Sequence, residues 1–149
     1  MKWDDYFNGQ LYNECQLVTA LNAYHYLLGK KYVKSNKESE YERLVDLCRA
    51  KHSSALATRD VWEELGIRPV DESAMLKVRL PLEINLWHPD YGFHSVLAVE
   101  YEAAADCLRV TNFTLGANWD GWISISDLLE QAVPHPSTKD WKFRTFVRK

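Results

Sequence analysis

The chain has 149 residues and a hydrophobic fraction of 46%, which fits one domain over 1–149 whose core needs neither disulfide nor metal. Its 18 basic and 21 acidic side chains leave a net charge of −3, too little concentrated positive charge for a phosphate backbone, so nucleic acid is excluded as the expected partner. No run approaches the ~20 apolar residues of a membrane span, which excludes a membrane partner.

The elements follow in chain order. After the turn-like "NGQ", Asn13 is the expected N-cap and Glu14 suits the dipole of a first helix. Apolar residues then recur at helical spacing (Val18, Leu21, Tyr24, Leu27, Leu28) until Gly29 and the lysines behind it end the pattern. A second helix is predicted from about Glu38 to Ala50, burying Tyr41, Leu44, Val45 and Cys48. A third, capped by Thr58, carries Val61, Trp62 and Leu65 and stops at Gly66. Near residue 67 the period changes. "PLEINLW", "FHSVLAVEY", "CLRVTNF", "GWISIS" and "KFRTFVRK" read as strands separated by turn material, and "DLLEQAV" as a short helix capped by Ser126. Helices first and an antiparallel sheet after them predict an α+β domain.

Cys15, Cys48 and Cys107 show no Cys-x-x-Cys and no zinc-ligand spacing, so reduced thiols are expected, with one bridge at most. Residues 1–20 lack the cationic start and apolar stretch of a signal peptide. The expected location is the cytoplasm, with secretion or delivery left open. The six Trp and eight Tyr are read mainly as core packing.

Cys15 stands at the head of the first helix, where N–H groups are unpaired and the macrodipole is positive. That field favours a thiolate, and the N–H of the cysteine can receive a developing oxyanion. Taken alone, a cysteine here is more readily read as a small buried hydrophobe, and position does not decide between the two. A nucleophile needs a base, and His94 opens an apolar strand with Gly92 leaving room for approach. The base needs an orienting group, and Asn112 ends the next strand. His88 lies in the turn before Pro89 and ranks below His94. His25 sits roughly 15 Å further along the first helix, out of reach. His52 and His135 have no supporting context.

In that order, Gln10, "ECQLVTALNAYHYLLGK", "VWEELGIRP", "GFHSVLAVEY" and "LRVTNF" resemble the papain-like cysteine peptidases. The layout is most similar to the bacterial branch of double-glycine leader peptidases that process bacteriocins. The resemblance covers roughly residues 8–130 as a pattern rather than as close identity. It implies a papain-like fold, a helical half carrying the cysteine followed by an antiparallel sheet half. It also implies a peptide or protein substrate and no cofactor or metal. Cys15 would be the nucleophile, His94 the general base and acid, Asn112 the group orienting His94, and Gln10 the side-chain donor to the oxyanion. Trp119 or Trp122 would shield the Asn112 contact. The chain departs from the family in having Glu14 and Gln16 flank the cysteine, Gln10 only five positions before it, and Phe113 after Asn112.

Three readings stay open on these residues. One is a thiol hydrolase, or a deamidase or transglutaminase using the same triad. Another is a non-catalytic binding module on the same fold. The last is a metal site from Cys15, His94 and His88, whose spacing matches no standard zinc arrangement.

Overall fold

The first helix, α1 (Cys15–Leu28), is buried over far more of its circumference than its apolar spacing predicts. Gln16 through Ala23 are all buried. The structure, a computed structural model, describes Tyr6, Asp46 and residues 15–30, 42–44, 59–72, 79–88, 92–112, 120–134 and 141–149. The side chains of residues 59, 60 and 88 lie outside this description, as do the expected caps Asn13 and Thr58. α1 closes as the sequence predicts. Gly29 takes φ +66°, its N–H donates to the Tyr26 carbonyl, and the Lys30 N–H donates to that of His25. These are the two bonds of a Schellman motif, which needs a residue at ease in the left-handed region.

Residues 42–44 and Asp46 are helical, and Leu44 is buried. The rest of the predicted second helix, Cys48 included, lies outside the described residues. α2 (Arg59–Leu65) buries Val61 and Leu65 as expected. Six strands follow: β1 (Ile67–Glu72), β2 (Leu82–His88), β3 (Gly92–Glu102), β4 (Cys107–Thr111), β5 (Trp122–Ser124) and β6 (Phe143–Arg148). They form one sheet in the order β1-β6-β2-β3-β4-β5, with every neighbour antiparallel. The α+β architecture predicted from the sequence is therefore present.

Two details correct the sequence reading. β1, "IRPVDE", is not predicted, because Pro69 and its charges mask a strand. Its place at the sheet edge, paired only to β6, tolerates both. The short helix α3 (Ile125–Gln131) starts earlier than predicted, with Ser124 as N-cap accepting from the Asp127 N–H. Ser126 lies inside it. Serine two positions upstream captures the cap because its extended backbone aims the hydroxyl at the helix end.

The sheet carries apolar layers on both sides. On one side Leu97, Val99 and Phe146 pack with Leu17, Val18 and Leu21 of α1, Val61 and Leu65 of α2, and Tyr6. On the other, Val96, Ala98 and Val110 pack with Leu128 of α3 and with Ala132. Residues 95–99 of β3 are accordingly buried without a break, as befits a strand covered on both faces. Among the described residues no helix is long and apolar enough to cross a membrane.

Candidate active site

The start of α1 rests on the middle of the sheet, and this brings Cys15 to β3. Its sulfur faces the N–H of Ser95, together with the N–H groups of Gln16 and of Cys15 itself at the helix start. Burial pushes the thiol up from its ordinary value. The Ser95 N–H acts against that rise, the charge of Glu83 adds to it, and the two helix-start N–H groups act against it again. The sequence reading expects the helix end to favour a thiolate. The helix end does pull that way, but desolvation outweighs it, and the resting sulfur is a thiol.

His94 stands immediately before Ser95 on β3. Its Nε2–H donates to the main-chain carbonyl of Asn112 across 2.7 Å, so the neutral ring carries its lone pair on Nδ1. Burial holds this imidazole below its ordinary value, and the Asn112 carbonyl partly restores it. Asn112 is therefore next to His94 as predicted, but the atom that meets the ring belongs to the backbone. The reason is local. β4 ends at Thr111, and Asn112 takes φ +60°, which turns its carbonyl toward β3. Thr111 is fixed by α1 in turn, its Oγ1 accepting from Asn22 Nδ2 at 3.2 Å.

Cross-strand register defines the sides. His94 lies opposite Leu86, in the layer under α3, whereas Leu97 lies in the layer under α1. By alternation Ser95 shares the α1 side with Leu97. Sulfur and imidazole thus flank the same stretch of β3 from opposite sides, at the margin where β4 has ended. Gly92 has φ +76°, and a side chain there would meet the Trp87 ring at 3.7 Å, an ordinary contact. Its contribution is the left-handed backbone rather than the space that the sequence reading assigns to it.

Two features of the site have no place in the sequence reading. Glu83, fully buried on β2, pairs with Arg144 of β6 through Oε1 and Nε, and the Arg144 guanidinium stacks 3.9 Å from the Trp141 ring centre and 4.9 Å from that of Trp62. Burial pushes the Glu83 carboxyl up, while Arg144, by charge and hydrogen bond, and the Ser95 hydroxyl draw it down and Asp71 adds to the rise. The available signal is an acid at an inward position of "PLEINLW" and a base in "KFRTFV"; alternation alone reads both as solvent-facing. The second feature is exposed. Trp87 and Phe93, 46% and 48% accessible, meet edge to face at 5.0 Å on the side that Ser95 occupies.

Gln10, the expected oxyanion donor, and Trp119 lie outside the described residues. Trp122 stands on β5 opposite Arg109, whose guanidinium is 5.5 Å from its ring centre. Cys15 and Cys107 are free thiols. Among the described residues no three His, Cys, Asp or Glu side chains converge as metal ligands would. The sequence matches no protein-family model and no curated protein sequence.

Proposed function

We propose that this chain is a thiol hydrolase on the papain-like plan, of the bacterial leader-peptidase type, cleaving a peptide or amide bond with Cys15 as nucleophile and His94 as base and acid. The observation that carries the reading is the meeting of Cys15 with the backbone of β3 at the residue next to His94, whose ring residue 112 anchors through Nε2. A helix headed by cysteine, lying on an antiparallel sheet with His94 and Asn112 at adjacent strands, supports the plan.

The chemistry follows from the protonation states. Thiol and imidazole both rest uncharged and stem from opposite sides of β3, so on this mechanism Nδ1 of His94 reaches the thiol proton around the margin where β4 has ended as Sγ attacks the carbonyl carbon. The oxyanion is received by the N–H of Cys15, with Gln10 as the side-chain donor. The ring then protonates the leaving amine as the C–N bond breaks, leaving a thioester. Water deprotonated by His94 releases the acid; an amine in its place would give transfer, and a glutamine substrate deamidation.

Iodoacetamide labelling mapped by mass spectrometry tests the pairing. Cys15 is expected to lose about a hundredfold or more in alkylation rate in His94→Ala, the low end of the usual range for a general base, while Cys107 keeps its rate. Cleavage of a peptide library is expected to vanish in Cys15→Ser. An unchanged Cys15 rate in His94→Ala, with no cleavage by the parent chain, overturns the enzyme reading. The non-catalytic binding module would then stand, a reading that the opposite-side placement of sulfur and imidazole favours.

A further inference from the structure

We propose that Glu83, the buried carboxylate that Arg144 holds beside Ser95, sets the reactivity of Cys15 by keeping its sulfur protonated in the resting site. The inference rests on Cys15 being the nucleophile and concerns how that nucleophile is regulated. Glu83 lies opposite Leu97 and Asn85 opposite Ser95, so Glu83 and Ser95 are diagonal neighbours on the side of the sheet that α1 covers. One carboxylate oxygen takes the Arg144 Nε–H; the other, Oε2, is buried without a hydrogen bond, and so is the Ser95 hydroxyl next to it. The hydroxyl is near enough to act on the carboxylate without forming a well-aligned bond to it. The main chain of Ser95 in turn faces the sulfur. Arg144, Glu83, Ser95 and Cys15 therefore form one continuous series within the α1-side layer.

Arg144 offsets much of the carboxylate's charge, but the unpaired oxygen lies in a dry layer where what is not offset acts on its neighbours more strongly than in water. A purely structural role accounts for it poorly, because a buried ion pair stabilises no better than apolar residues of the same volume. Beside a thiol the same charge has a chemical effect, opposing ionisation of the sulfur. The charged group acting on the sulfur is Glu83 from β2, with Arg144 of β6 behind Glu83 and Asp71 of β1 acting on Glu83, while His94 of β3 is the titratable neighbour of Ser95 along the chain. Among the described residues the first turn of α1 adds no acid. Held as a thiol, Cys15 is spared oxidants and stray electrophiles, which attack the thiolate. It is released when His94 takes its proton during attack. Glu83 acts through Cys15 and touches no substrate.

The test is the pH profile of iodoacetamide alkylation of Cys15, mapped by mass spectrometry, between about pH 6 and 10. In Glu83→Gln the Cys15 midpoint is expected to fall by about one pH unit, making alkylation at pH 7 about tenfold faster, as removal of a nearby like charge does. The paired replacement Glu83→Leu with Arg144→Met leaves no lone buried charge and is expected to lower the midpoint by a smaller amount. In the unaltered chain the Cys15 midpoint is expected above the ordinary thiol value of 9.0. A folded variant of either kind with an unmoved or raised midpoint overturns the proposal, as does an unaltered chain whose Cys15 titrates below the ordinary 9.0. The hydrolase reading fails separately, through a Cys15 rate indifferent to His94→Ala together with no cleavage by the parent chain.

Discussion

Asn112 holds the His94 ring by a main-chain carbonyl that only a left-handed backbone aims at β3. Part of the demand on residue 112 is therefore conformational, and substitutions can separate that part from a side-chain role. Glycine adopts φ near +60° freely, whereas a β-branched residue there is strained by roughly 1–2 kcal/mol. Asn112→Gly is expected to leave the Cys15 alkylation rate within about twofold of the parent, and Asn112→Val to lower it by about tenfold, the equivalent of that strain. A large loss in Asn112→Gly would return the orienting role to the amide side chain. Residue identity was legible here, since an asparagine at the end of "LRVTN" is visible as a partner for the histidine. The contacting atom was not, because it depends on where β4 stops.

At the scale of elements, α1 and β2 to β4 were legible because a long apolar period leaves few alternatives. β1 was not, since an edge strand can hold a proline and charges that a central one cannot. The polar residues Glu83 and Arg144 escaped for a related reason. Alternation along β2 and β6 reports two faces but does not say that both are covered. The seam between α1 and β3 is where this double covering has most energetic effect. Leu97 has no exposed surface and packs with the α1 leucines, so Leu97→Ala is expected to cost about 2–5 kcal/mol in urea unfolding through lost transfer and a cavity. Leu129 on α3 is 49% exposed, and Leu129→Ala is expected to cost less than about 0.5 kcal/mol. Equal costs at the two positions would contradict the layer arrangement.

Across the whole molecule, the buried titratable groups couple the site to stability, and their directions oppose one another. His94 is held below its ordinary 6.5, so the unfolded chain binds this proton first as the pH falls. Its contribution is complete above about pH 6.5 and is lost as the pH drops toward the folded value. Glu83 is held above its ordinary 4.5, so its contribution is complete below that value and is lost as the pH rises through the folded one. The two oppose each other on the acid side. Cys15 is held above its ordinary 9.0, and its contribution, complete below that pH, is lost as the pH rises through the folded value. Urea midpoints measured across pH should therefore show an alkaline decline that Cys15→Ala flattens. On the acid side, His94→Gln removes a term that falls with acidification and should make the limb shallower, while Glu83→Gln removes a term that rises with acidification and should make it steeper. If the acid limb moved the same way in both variants, the opposed directions derived from burial would be wrong, and the charge state assigned to the sulfur's surroundings would have to be rebuilt.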